Sequence, residues 1–131
     1  IDHLEQNSSL CAGASPPAIV TAAASAKALS IARENPYIRE QLWANVKQAR
    51  EGFNKLGWEL EDTPVPIICL RQHKKHNLEW LREQLFIQGI AVTHVRSYTS
   101  TPPGGALRIA IFATHSTEQI DRLINIFTSL L

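Results

Sequence analysis

Across residues 38–56 the apolar positions Ile38, Leu42, Val46, Ala49, Phe53 and Leu56 recur at spacings of 4, 4, 3, 4 and 3. That is the period of one face of an α-helix, and Gly57 supplies a residue able to close it in the left-handed conformation. A helix with a single apolar stripe persists only when the stripe lies on a second layer. Three short apolar runs can supply that layer. Residues 65–70 read as a buried strand, with Pro66 near its start or edge because proline cannot donate to a ladder. Residues 90–95 read as a second strand and residues 107–112 as a third. In the third, Leu107, Ile109 and Ile111 share one face while Arg108, Ala110 and Phe112 share the other.

Three further helices are expected. Ser15-Pro16-Pro17 offers a cap followed by prolines in a first turn, where their missing N–H groups cost nothing, and the Ala-rich run to about Arg33 has high helix propensity. Asn35-Pro36 repeats this start signal ahead of the striped helix. Asn77 opens a helix carrying Leu78, Leu81 and Leu85, and Gly89 closes it. Ser116 with Gln119 forms a capping box for the last helix, whose stripe is Ile120, Leu123, Ile124, Phe127 and Leu131. The order α-α-β-α-β-β-α predicts an α+β fold, a small and mainly antiparallel sheet covered by helices. Residues 1–14 are polar and irregular, a lead-in from a missing upstream domain; residues 15–131 make one domain. Residues 97–105, with two prolines and two glycines, read as a loop.

Composition excludes several functions. Thirteen basic against twelve acidic residues, scattered among one another, leave a net charge of +1 and no footprint for nucleic acid. No stretch approaches the roughly 20 apolar residues that span a bilayer. Cys11 and Cys69, far apart in sequence, suit a reducing compartment better than a disulfide framework. The first residues lack the basic and apolar regions of a signal peptide, and the chain contains no Met. A piece of a longer cytoplasmic protein is the expectation.

Few residues carry chemistry of their own. There is no phosphate-cradling G-x-x-x-x-G-K loop, no C-x-x-C pair and no H-E-x-x-H, and no catalytic residue or metal site is assigned. His73 and His76 are three apart, without further ligands nearby, and read as part of a solvated loop with Lys74 and Lys75. Arg108 is different. Buried in a strand it needs an anionic partner, and its planar fork suits a carboxylate. It reads equally as an arginine on the solvated face of an edge strand, or as one paired with a structural Glu.

The segments SPPA at 15–18, the Pro66-Ile67-Ile68 strand and above all PPGGALRIAIFATHSTEQIDR at 102–122 resemble the C-terminal third of the α-oxoamine synthase family. The resemblance runs over nearly the whole chain from about residue 11. Its most specific part is P-x-G-x-x-L-R-I followed by A-x-H-(S/T)-x-x-x-I. It implies the small domain of a fold-type-I enzyme that uses pyridoxal 5'-phosphate (PLP) to join an amino acid to an acyl-CoA with loss of CO2, working as a homodimer. It assigns Arg108 to the substrate carboxylate, with Pro103 and Gly104 in the loop that helps wall the site. Many relatives read R-L-R where this chain has Ala106-Leu107-Arg108. The family's cofactor-binding lysine, with its neighbouring glycines, lies upstream, and Lys27, Lys47, Lys55, Lys74 and Lys75 do not match it. The cofactor would therefore be bound by the missing upstream domain, leaving this piece alone inactive. His115 reads as an anchor for the turn into the last helix. The alternatives are the small domain of a plain aminotransferase and a non-catalytic small-molecule-binding module of the same fold.

Overall fold

The structure, a computed structural model, describes residues 2–8, 15–71, 77–96 and 104–131. The chain divides into two compact units, Ile1–Pro36 and Tyr37–Leu131.

The first unit contains α1 (Asp2–Asn7) and α2 (Ile19–Glu34). The short α1 corrects the expectation of an irregular lead-in over these residues. The Asn7 side chain donates to the His3 carbonyl at 2.9 Å, tying the ends of the turn together. The start of α2 is a second correction. It begins at Ile19 rather than at Ser15-Pro16-Pro17, and its cap, Ala18, provides no side-chain hydrogen bond. Ser15 and Pro16 each precede a proline, whose Cδ disfavours the helical region for the residue before it. The helix ends at Asn35, whose side chain donates to the Ile31 carbonyl at 2.7 Å. None of its residues is buried.

The second unit is built on the expected stripe. Helix α3 (Pro36–Lys55) starts with a proline at its first position, where φ is already helical. It buries Val46, Ala49 and Phe53. Gly57, at φ +88°, closes it. There Trp58 N–H reaches Phe53 O at 3.1 Å and Gly57 N–H reaches Asn54 O at 3.0 Å. This is the Schellman pattern, and Phe53 and Trp58 both enter the core beside it. Helix α4 (Leu78–Ile87) is capped by the Asn77 side chain, which accepts from Glu79 and Trp80 N–H. Its stripe of Leu78, Leu81 and Leu85 is buried as expected. Helix α5 (Thr117–Leu130) carries the full capping box of Ser116 and Gln119 and buries Ile120, Leu123 and Phe127. Leu131, expected in that stripe, is exposed instead, while Leu130 packs against the core.

The sheet has the order β1-β3-β2, with β1 Ile67–Arg71, β2 Thr93–Val95 and β3 Ala106–Ala110. Both pairings are antiparallel. The strands are shorter than the apolar runs that announce them. Pro66 contributes only its carbonyl, which accepts from Ile111 N–H at 2.9 Å. Ile90 is taken up by the closure of α4, its N–H bonded to Leu85 O at 2.8 Å. The α+β fold is as expected. Ile68 and Leu70 of β1 and Leu107 and Ile109 of β3 join the apolar stripes of α3, α4 and α5 in one core. At its centre Phe53 and Phe127 meet edge to face, ring centroids 5.0 Å apart. The alternate residues of the sheet turn away from the helices, and Cys69, Arg71, Arg108 and Thr93 are exposed. No helix among the described residues is long and apolar enough to cross a membrane.

Candidate functional site

Arg108 occupies the middle of the central strand. Its register partners are Cys69 on β1 and Thr93 on β2. The apolar neighbours Leu107 and Ile109 point into the core, so strand alternation turns the guanidinium outward onto the face opposite α3, α4 and α5. The strand is central rather than an edge, and Arg108 is exposed on its solvated face with no ion pair among the described residues. Other arginines are engaged. Arg50 pairs with Asp62, Arg71 with Glu61 and Arg96 with Glu79, while Arg122 donates to the Gln88 carbonyl.

Gly104 and Gly105 lead into β3 with φ of +94° and +81°. Gly105 is buried against the end of β2, and a Cβ there would lie 2.5 Å from the Val95 carbonyl oxygen. Only glycine allows both the positive φ and this approach. The pair thus fixes where the strand carrying Arg108 begins. Gly104 is exposed at this entrance. Pro103, the other expected wall residue, lies outside the described residues, as do His73, Lys74, Lys75 and His76. Ala106, at the position of the absent first arginine, is buried.

The far end of β3 is held by residues that the sequence reading passed over. Asn45 is 1% exposed. Its Nδ2 donates to Phe112 O at 3.0 Å and to His115 O at 2.8 Å. Its side-chain oxygen accepts from Gln41 at 2.9 Å. Gln48 continues the column, donating to the Thr117 carbonyl at 3.2 Å and the Asp121 carboxylate at 2.7 Å. The available signal was three amides at helical spacing of 4 and 3 beside the apolar stripe of α3. His115 itself closes the turn as expected: its Nδ1 accepts from Phe112 N–H at 3.2 Å, and its ring meets that of Phe112 edge to face.

Arg108 borders two clefts, each of about 390 Å³. The first, on the β2 side, includes Thr93, His115, Gln119 and Arg122 and has no acidic residue in its wall. The second, on the β1 side, includes Cys69, Arg71, Glu59 and Glu61. Among the described residues no lysine borders either cleft, and Lys27, Lys47 and Lys55 are exposed on helices. The guanidinium of Arg108, exposed between the two clefts, is able to hold an anionic group. No group of three His, Cys, Asp or Glu placed to hold a metal ion occurs among the described residues.

Comparison with known proteins fits this arrangement. The model of the family described as "Aminotransferase class I and II" matches residues 1–127. An 8-amino-7-oxononanoate synthase of Pseudomonas putida is 34% identical over 110 residues, covering 84% of this chain and 28% of the relative. One from Methylococcus capsulatus is 37% identical over 109 residues, covering 83% and 28%. The chain thus spans a little over a quarter of the curated relatives it matches. Among solved structures, a serine palmitoyltransferase from S. paucimobilis with a bound PLP–myriocin aldimine superposes with a TM-score of 0.61 at 26% identity, over 70% of this chain and 24% of that one. The serine palmitoyltransferase of Sphingomonas wittichii gives 0.61 at 27% identity over the same shares. The chain belongs to the class I and II aminotransferase family and, within it, is a domain of the α-oxoamine synthase type.

Proposed function

We propose that this chain is the small domain of a PLP-dependent acyltransferase that joins an amino acid to an acyl-CoA, as its 8-amino-7-oxononanoate synthase relatives do in biotin biosynthesis. Residues 15–131 form the domain and residues 1–14 lead in from the part that holds the cofactor. The enzyme works as a cytoplasmic homodimer. Arg108 binds the substrate carboxylate, and Pro103 and Gly104 wall the site. The observation that carries this reading is an arginine at the centre of a sheet face, exposed and without an ion pair among the described residues, inside the P-x-G-x-x-L-R-I motif.

The division of labour follows from the side chains. The guanidinium fork offers two parallel N–H donors to a carboxylate and fixes its orientation as well as its position. Gly105 and the Asn45 column hold both ends of β3, so the fork is presented from a rigid strand. PLP supplies the electron sink when bound; orientation and charge come from the protein. In the overall reaction a carbon–carbon bond forms between the amino acid's α-carbon and the acyl carbonyl, while the CoA thiol and CO2 leave.

The test is an assay of free thiol with the PLP-loaded enzyme that contains this chain. Thiol release that needs both an amino acid and an acyl-CoA supports the reading, and Arg108→Ala should then lower the apparent affinity for the amino acid. Amino-group transfer to a 2-oxo acid without thiol release would identify an aminotransferase instead.

A further inference from the structure

Arg108 lies between two clefts, and charge decides which of them suits an anion. The cleft on the β1 side has Arg50 and Arg71 in its wall, but Arg50 pairs with Asp62 and Arg71 with Glu61, and Glu59 adds a further acid. The cleft on the β2 side has no acid in its wall, and it has Thr93 directly across the strand pair from Arg108. Directly opposed residues in an antiparallel pair have Cβ atoms about 4.5–5.5 Å apart and share a face. Both side chains are exposed on the sheet face opposite α3, α4 and α5, and the Thr93 hydroxyl has no hydrogen-bond partner among the described residues.

We propose that Thr93 is a second carboxylate-binding residue, its hydroxyl donating to the substrate carboxylate that Arg108 holds, so that the amino acid is seated on the β2 side of the arginine. This rests on the assignment of Arg108 to the carboxylate. A carboxylate has about four lone-pair sites, and a bidentate arginine takes only two of them. The hydroxyl supplies a third donor from a fixed direction without adding charge. It distinguishes the two oxygens of the carboxylate, which a symmetric fork alone does not, and so restricts rotation of the substrate about the arginine axis. Cys69, the opposite neighbour of Arg108, offers only a weak S–H donor, on the side where the acids lie.

The experiment uses the PLP-loaded enzyme that contains this chain, with glycine, L-alanine and L-serine as probes and the methyl ester of each as its carboxylate-free counterpart. Dissociation constants are measured by calorimetry for wild type, Thr93→Val, Thr93→Ser and Arg108→Ala, with melting temperatures recorded alongside. Thr93→Val preserves shape and strand preference, and should weaken the preferred amino acid about tenfold or more while leaving its ester within twofold. Thr93→Ser, which keeps the hydroxyl, should stay near wild type, and it carries the test through Thr93→Ala if the valine variant does not fold. Equal losses for acid and ester would show a structural role and overturn the proposal. Loss in Arg108→Ala with none in Thr93→Val would overturn it while leaving the arginine assignment standing. No loss in either variant, or no preference of wild type for acid over ester, would overturn both.

Discussion

Asn45 joins three segments through one side chain: it receives a hydrogen bond from Gln41 and gives one each to the carbonyls of Phe112 and His115. Replacing it by leucine leaves the His115 carbonyl without this donor, while the Phe112 carbonyl keeps only the His115 N–H. Asn45→Leu should lose roughly 1–3 kcal/mol in denaturant unfolding, the cost of a buried polar group deprived of its partner; a loss below about 0.5 kcal/mol, typical of a surface change, would contradict this role. Gly105 gives a second residue-scale contrast. Alanine there meets the Val95 carbonyl oxygen at 2.5 Å as well as a φ of +81°, whereas at Gly57 it meets only the φ of +88° and open space. Gly57→Ala should cost the left-handed penalty of about 1–2 kcal/mol. Gly105→Ala should cost clearly more, and equal costs would show that the close approach to β2 does not constrain the site. Arg108 was legible in sequence because alternation alone sets its face. Asn45 was hidden, because its partners are 67 and 70 residues away.

Helices with chemical start signals read well. Ser116 and Gln119 were expected to cap α5 and do so reciprocally, and Asn77 caps α4. The start of α2 misled, because two prolines resemble a first turn while pushing the residues before them into extended backbone. Strand ends were overread for a related reason: an apolar run does not reveal whether its residues pair in a ladder or, like Ile90, close a helix. Helix α5 also yields a pH dependence. The Ser116 hydroxyl, and then its own backbone N–H, hold the Glu118 carboxyl below its ordinary value of 4.5. A carboxyl lowered in the folded state stabilises it fully above that ordinary value, and the contribution is lost as pH falls through the lowered one. Unfolding midpoints followed from pH 6 down to about pH 3 should therefore fall less steeply in Glu118→Gln than in wild type. Superimposable curves would show that the cap does not sense this charge.

At the scale of the whole molecule, the α+β class and the order of elements from α2 onward followed from periodicity and start signals, while α1 did not. The strand order β1-β3-β2 did not, because pairing Cys69 and Thr93 on either side of Arg108 depends on contacts distant in sequence. The motif around Arg108 was legible in the sequence, but that Thr93 stands opposite it appeared only once the strands were paired. Helix α2 leaves Ile19, Val20 and Leu29 at 87%, 77% and 66% exposure, and exposed apolar surface of this kind favours association. Sedimentation of the chain should show concentration-dependent self-association, reduced by Ile19→Lys with Leu29→Glu; a monomer at all concentrations would contradict this. The role proposed for Arg108 is a carboxylate-binding fork presented from the middle of the sheet. Its most direct test compares amino-acid dissociation constants and melting temperatures for wild type, Arg108→Ala and Arg108→Lys in the PLP-loaded enzyme containing this chain. A charge-assisted pair is worth about 1.5–3 kcal/mol, or roughly tenfold to 150-fold in affinity. A loss in that range is expected for alanine, with partial recovery for lysine, which cannot form the fork, and an unchanged melting temperature. A lowered melting temperature with an unchanged dissociation constant would contradict it.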